Sequence, residues 1–312
     1  MIEAANHGKE VTVFLELNAR FDEENNINWS NKLEESLVNV MYGYEDFKIH
    51  AKAMLITMKI KGTPRYIFHV ATGNYNEQTA RQYTDANLFS SNEALAKDMV
   101  KFFQGISLSA LQFESEHLLI APDSLKSTFL KLIRDEVEFH SIYQNGQIIM
   151  KMNALSDKEI IQALYHAAEQ GVKVQLIVRG ICCVKARENL EIISILGRFL
   201  EHARLYYFHR RGEQQLYLAS ADMMTRNTQN RVELATPVLD HSCKRELLNY
   251  LEMQLNDPHA YHMDEHGNYH RQASDSDAAD AQQQMLERTS LIISNKENPL
   301  RKALNWFQRK AK

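Results

Sequence analysis

Short, β-branched apolar runs alternate along the chain with stretches whose apolar residues recur at helical spacing. Ile2 to Asn6 reads as a last helical turn stopped by Gly8, and Val11 to Leu17 as a buried strand. Asn25 to Ser36 has helical spacing through Ile27 and Leu33, and Val38 to Tyr42 is the next strand. His50 to Met58 and Arg65 to Ala71 predict two strands around a turn at Lys61 to Pro64; a helix from Ala94 to Gln104 follows, which Gly105 should end. A second unit starts near His117. Its expected strands are Leu118 to Pro122, Gln147 to Met152, Val172 to Val178, Ile192 to Ile195, Arg204 to Phe208, Gln215 to Ala219 and Arg231 to Pro237. Its expected helices are Ser124 to His140, Asp157 to Gln170 and Lys244 to Leu255. Strands interleaved with helices predict an α/β architecture with a partly parallel sheet.

The break between units falls in Leu108 to Glu116, which gives one domain over 1–107 and another over 117–257. Beyond Pro258 the periodicity fades, so 258–312 reads as a flexible tail, with Met285 to Ile293 open to helix or strand. Leu300 to Lys312 reads as a basic amphipathic helix, suited to a membrane surface or a partner, or simply to solvent at a chain end. His259, His262, His266 and His270 are interrupted by Gly267 in a stretch without helical pattern, which favours a disordered or hairpin segment over a metal site.

Composition narrows the class. In 312 residues, 36 Lys and Arg face 40 Asp and Glu, a net charge of −4, which argues against a general nucleic-acid coat and leaves local basic pockets open. No apolar run approaches the roughly 20 residues of a membrane span. The first ten residues lack the basic start and apolar core of a secretory signal, and Cys182, Cys183 and Cys243 cannot form a disulfide framework. The expected compartment is therefore the reducing cytoplasm. Phosphate loops of the G-x-x-x-x-G-K-[ST] or G-x-G-x-x-G type are absent, as are Cys-x-x-Cys and H-E-x-x-H metal motifs.

The chemistry lies in a pattern that occurs twice. His50-Ala-Lys52 is followed by Gly73-Asn-Tyr-Asn76, and His202-Ala-Arg204 by Ala219-Ser-Ala-Asp222. A neutral imidazole can attack a phosphoryl group, while nearby Lys, Arg and Asn side chains offset the charge on its oxygens. A second histidine opposite can protonate the leaving oxygen. His50 and His202 are thus candidate catalytic residues, with Lys52, Asn74, Asn76 and Arg204 as phosphate contacts. Several basic groups in one pocket should depress the histidine pKa values by like-charge repulsion.

This H-x-K … G-S-x-N pattern resembles the phospholipase D superfamily, which implies two α/β domains related by a pseudo-twofold axis and sharing one cleft. Longer segments resemble the bacterial ATP-dependent polyphosphate kinase family: Leu17 to Asn25, Lys48-Ile-His-Ala-Lys52, Ala71 to Asn76, Thr79 to Asp85, Val178 to Cys183, Gly197 to His202 and Ser220-Ala-Asp222. That resemblance implies a phosphorylated His50, nucleotide contacts at Tyr83, Arg179 and His202, and a magnesium site at Arg20. A guanidinium has no acceptor for a metal, so Arg20 would act through phosphate or water. The implied reaction is reversible transfer of the ATP terminal phosphate to inorganic polyphosphate, with Mg2+, by what reads as the C-terminal part of such an enzyme. A homo-oligomer or upstream domains are possible partners.

Some positions depart from the family. Leu37 stands where glycine is usual between helix and strand, and would be strained at positive φ. Met223 replaces a tryptophan, and the segment between Cys183 and Asn189 is short. Cys182 and Cys183 read as buried structural residues. The competing readings are a phospholipase-D-like phosphodiesterase and a non-catalytic remnant that lacks an upstream strand beside Val11 to Leu17.

Overall fold

The computed structural model describes residues 1–17, 23–44, 47–110, 114–271 and 278–294. Arg20 and the basic segment 300–312 lie outside them. In the first half, α1 (Ile2–Asn6) precedes β1 (Thr12–Leu15), and α2 (Glu23–Glu34) precedes β2 (Asn39–Tyr42). β1 and β2 pair in parallel, Thr12 against Asn39, over a small core of Ala5, Leu33 and Val38. Leu37, in the turn between α2 and β2, has φ 61° and is 85% exposed. It adopts the left-handed conformation, in which a Cβ crowds the following carbonyl oxygen.

β3 (Lys48–Ile49) leads to β4 (Lys52–Ile60), which forms a hairpin with β5 (Thr63–Ala71). The turn is shorter than its sequence suggests, because Pro64 is already in the ladder opposite Lys59 at the open edge. After α3 (Glu77–Ala80) and β6 (Tyr83–Thr84), β7 (Asn87–Ser90) adds to β5. α4 (Glu93–Ser107) covers this sheet and runs through Gly105 rather than stopping there. Gly105 is buried within the helix, and Leu108 takes the cap position.

The second half builds one large sheet. Its strands are β8 (Leu119–Ala121), β9 (Gln147–Met152), β10 (Lys173–Val178), β11 (Leu190–Ser194), β12 (Leu200–Glu201), β13 (Leu205–Phe208), β14 (Gln215–Ala219) and β15 (Arg231–Pro237). β12 stands apart, paired with β6. β9, β10 and β11 are parallel, whereas β13, β14 and β15 continue the sheet antiparallel. The parallel strands are nearly all apolar because the sheet is buried on both faces. α5 (Leu125–Tyr143) and α6 (Lys158–Glu169) pack on one face; α7 (Thr225–Gln229) and α8 (His241–Leu255) complete the unit. The fold is therefore α/β with a mixed sheet, as the alternation predicts.

The segment expected to be flexible from 258 differs. β16 (Tyr261–Met263) pairs with β11 and forms a hairpin with β17 (Tyr269–Arg271). Its turn is held by Asp264, whose carboxylate accepts the His266 and Asn268 main-chain N–H groups at 2.9 and 2.8 Å. α9 (Ala281–Ser294) then packs near α8, with Gln282 buried. The hairpin option for the histidine-rich segment is the one realised, and no cluster of three metal-ligating side chains occurs among the described residues. Cys182 is half-buried and Cys183 exposed, so burial does not explain the pair. No helix among the described residues is long and apolar enough to cross a membrane.

Candidate active site

Two very short strands place the histidines. β3 runs parallel to β15, with Lys48 opposite Arg231 and Ile49 opposite Val232. One residue on, His50 meets Glu233: Nδ1 lies 2.9 Å from Oε2. β12 runs parallel to β6, with Leu200 opposite Tyr83 and Glu201 opposite Thr84. One residue on, His202 meets Asp85: Nδ1 lies 2.8 Å from Oδ1. Each histidine thus takes its carboxylate from the other half of the chain. The duplicated His-x-basic motif is a duplicated geometry.

Hydroxyls complete both pairs. Thr72 Oγ1 donates to Asp85 Oδ1 at 2.6 Å, and Ser220 Oγ donates to Glu233 Oε2. This aligns Ala71-Thr-Gly-Asn74 with Ala219-Ser-Ala-Asp222, so Asn74, and not Asn76, stands opposite Asp222 in the repeat. Asn74 is exposed. Asn76 caps α3: its Oδ1 accepts the Gln78 and Thr79 main-chain N–H groups at 2.9 and 3.0 Å. Gly73 is required by the Asp85 carboxylate, because a Cβ there would sit 2.1 Å from Oδ2.

The electrostatics favour neutral imidazoles. Burial comes first in pushing His50 down to about 4; the charges of Lys52 and Arg204 add to it, against the opposing Glu233. His202 is lowered mainly by burial, again with Arg204 and Lys52 adding to it against Asp85. Like-charge repulsion, the expected cause, is therefore secondary. Burial would raise Glu233, but the His50 imidazole N–H, the Lys52 charge and the Ser220 hydroxyl hold it at about 2. An ionised carboxylate is an acceptor, so each Nδ1 carries the proton and each Nε2 keeps its lone pair, which at His202 faces Arg204 Nη1 at 3.2 Å. Lys52 and Arg204 act on both rings, which puts the two histidines in one electrostatic site. Lys52 itself is depressed to about 7 by burial and by Arg204 and Arg231, against the opposing Glu233.

Arg204 differs from a free phosphate clamp. Its Nε and Nη2 donate to Asp222 at 3.2 and 3.3 Å, and Nη1 donates to the carbonyls of Thr72 and His202 at 3.1 and 3.0 Å. It is buried. Arg179 sits just past the C-terminal end of β10, where parallel sheets present ligand-binding groups. Its Nε donates to Asn153 Oδ1 at 2.9 Å and to the Glu201 carbonyl. The Tyr83 ring packs against His202 with centroids 5.0 Å apart. Tyr83, Arg179, Lys52, Arg204 and the histidines are thus brought to one region, and Asn76 is spent on a cap.

Residue patterns alone miss Glu233, Asp85, Asn153 and Glu201 as members of this region. A lone carboxylate inside the apolar run of β15 was a signal for Glu233, since buried acids are rarely unpaired. Glu201 gathers Lys151 Nζ at 2.7 Å, Thr84 Oγ1 at 2.9 Å, Gln254 Nε2 at 2.8 Å, Tyr250 OH at 3.0 Å and Gln282 Nε2 at 2.7 Å. A cavity of about 390 Å³ opens beside β6, lined by Tyr83, Asp85, Glu201, Leu247 and Met285 among others; neither histidine lines it.

The family model described as polyphosphate kinase C-terminal domain 1 matches residues 1–112, and that of C-terminal domain 2 matches residues 118–284. A polyphosphate kinase of Staphylococcus haemolyticus is 45% identical over 274 residues, covering 86% of this chain and 38% of that protein. One from Bacillus cereus is 43% identical over 259 residues, covering 81% of this chain and 37% of that protein. The chain thus spans under two-fifths of the length of these curated relatives. The crystal structure of polyphosphate kinase from Porphyromonas gingivalis superposes with a TM-score of 0.83 at 35% identity, over 93% of this chain and 45% of that one. A phosphatidylserine synthase from Haemophilus influenzae shares the fold at a TM-score of 0.51 and 10% identity, over 94% of this chain and 83% of that one. With both family models matched in order along it, the chain belongs to the polyphosphate kinase family and carries its C-terminal domains 1 and 2.

Proposed function

We propose that the chain carries the phosphotransfer site of a polyphosphate kinase, moving the terminal phosphate of ATP to and from inorganic polyphosphate through a phosphohistidine at His50. The single observation that carries this reading is the crossed pair of imidazole–carboxylate contacts, His50–Glu233 and His202–Asp85, in one basic site. With Nδ1–H held by Glu233, the free Nε2 of His50 attacks the terminal phosphorus, and the bond to the nucleoside diphosphate oxygen breaks as the N–P bond forms. His202 faces the leaving oxygen and governs its proton. Lys52 and Arg179 offset charge on the transferring oxygens, and Arg204 contributes its field from a buried position. Tyr83 packs the nucleotide side of His202.

Magnesium belongs with the nucleotide in this reading. Asp85, Asp222 and Glu233 are each engaged by a histidine or an arginine, and the described residues do not fit a protein cage for the ion. Mg2+ commonly binds through substrate phosphates and water instead. The site is read as cytoplasmic, where ATP is available.

Incubation with γ-labelled ATP tests the assignment. The adduct should be acid-labile and base-stable, and His50→Ala should abolish it. Loss of label in His202→Ala with retention in His50→Ala would reverse the two roles; cleavage of a phosphodiester without any adduct on ATP would favour a phosphodiesterase.

A further inference from the structure

Asn153 lies one residue past the C-terminal end of β9, the strand between β10 and β13. It touches Arg179 directly and reaches Arg204 through Asp222. Its side-chain Oδ1 accepts Arg179 Nε at 2.9 Å. Its main-chain N–H donates at 2.7 Å to Asp222 Oδ1, the oxygen that also accepts Arg204 Nε. Its carbonyl accepts the Gly180 N–H at 3.0 Å, and a Cβ on Gly180 would come within 2.8 Å of that carbonyl. β9 and β10 are therefore clamped together at the point where Arg179 leaves the sheet.

One atom of this residue is unsatisfied. Asn153 is 7% exposed, and its Nδ2 is buried with no hydrogen-bond partner among the described residues. Turning the amide over would not help, because Nδ2 would then face Arg179 Nε, donor against donor. A buried amide donor left unpaired is costly, and this one belongs to the residue that holds Arg179. The position beside Arg179 suits an anionic oxygen.

Resting on the reading of the site as one for phosphotransfer, we propose that Asn153 sets the phosphate subsite. Its Oδ1 and main chain fix Arg179 and Asp222, and its Nδ2 donates to an oxygen of the phosphate chain held by Arg179. The Nε of Arg179 is spent on Asn153 and on the Glu201 carbonyl, which leaves the two terminal nitrogens of the guanidinium to bind phosphate side-on.

The test compares the wild-type chain with Asn153→Asp and Asn153→Leu, using inorganic tripolyphosphate as the probe. Calorimetry reads its affinity, and ¹⁵N NMR reads the Arg179 Nε–H resonance, assigned by its absence in Arg179→Lys. Asn153→Asp retains an acceptor for Arg179 but no amide donor, so the slowly exchanging Nε–H should persist while affinity falls at least tenfold. Asn153→Leu should lower affinity at least as much and also speed Nε–H exchange, because the Glu201 carbonyl is then the one acceptor left to that N–H of the two. This split is not produced by a general loosening of the fold. Should the leucine variant not fold, judged by near-ultraviolet circular dichroism, Asn153→Asp with Asn153→Ser decides the matter. Wild-type binding that the aspartate and leucine variants retain within twofold overturns the assignment of Asn153 alone. Absence of tripolyphosphate binding by the wild-type chain overturns the phosphotransfer reading and this inference with it.

Discussion

Arg204 donates to the main-chain carbonyl of Thr72 at 3.1 Å, across 132 residues of sequence. Thr72 also supplies the hydroxyl that holds Asp85, and Arg204 also contacts the His202 carbonyl, so one guanidinium ties the two halves at their shared site. Arg204→Leu should therefore do more than remove a charge. It leaves Asp222 buried without its partner, a loss of about 3–5 kcal/mol. Denaturant titration should show that drop, together with strongly reduced histidine labelling. An unchanged unfolding midpoint would show that the tie is dispensable.

The labelling rate should depend on pH in a bell shape displaced to the acid side. Protonation of His50 removes the attacking lone pair, and burial has lowered that event from the ordinary 6.5 to about 4. Deprotonation of Lys52 removes a positive charge, and burial has lowered that event to about 7. At subsaturating ATP the rate should rise through about 4 and fall through about 7. Lys52→Arg, which stays charged, should remove the alkaline limb. A rate still rising between pH 6 and 7 would contradict the neutral, buried nucleophile.

Asp85→Asn and Glu233→Gln test the crossed carboxylates. Each amide can reverse the proton arrangement on its histidine, and general acid–base roles of this kind are worth roughly 10²–10⁴ in rate. Glu233→Gln should slow formation of the phosphohistidine. Asp85→Asn should slow reaction with the acceptor or nucleotide more than it weakens binding of nucleotide. Rapid-quench measurement of the label separates the two steps. Wild-type rates in both variants would reduce these contacts to packing.

Asn76→Ala removes a helix cap and should cost about 1 kcal/mol of stability. Labelling should change little, because the side-chain oxygen is committed to Gln78 and Thr79. A tenfold loss of labelling without destabilisation would restore Asn76 as a phosphate contact.

Leu37→Gly should stabilise the chain. The left-handed φ of 61° costs a non-glycine residue roughly 1–2 kcal/mol, and glycine gives back part of this in unfolded-chain entropy. A net gain of about 1 kcal/mol is expected as a higher denaturation midpoint. A lower midpoint would mean that the exposed leucine side chain contributes packing in the intact protein.

The paired histidines were legible because each motif sits beside a strand long enough to show a pattern. Their carboxylates were not, because the deciding elements, β3, β6 and β12, are two residues long, and a two-residue strand has no periodicity. Glu233 and Asp85 reach their histidines only through the register of those strands with elements more than a hundred residues away. The ordered region beyond 258 was missed for a related reason. Gln282 is buried by a polar contact with Glu201, and a burial of that kind leaves no mark in an apolar pattern. Gly105 misled because glycine marks a helix end only when it takes the left-handed cap, and here the helix runs two residues further, to Ser107.

The five donors collected by Glu201 also bear on how the chain is made. Lys151 and Thr84 precede that carboxylate, whereas Gln282 follows it by 81 residues. At roughly 5–20 residues per second, synthesis separates the two by about 4–16 s. During the first part of that interval, until Tyr250 and Gln254 are made, the strand leading into His202 rests on the earlier donors alone. A nascent chain released before Gln282 would therefore carry both histidines while the Glu201 carboxylate, one residue before His202, still lacks its last donor.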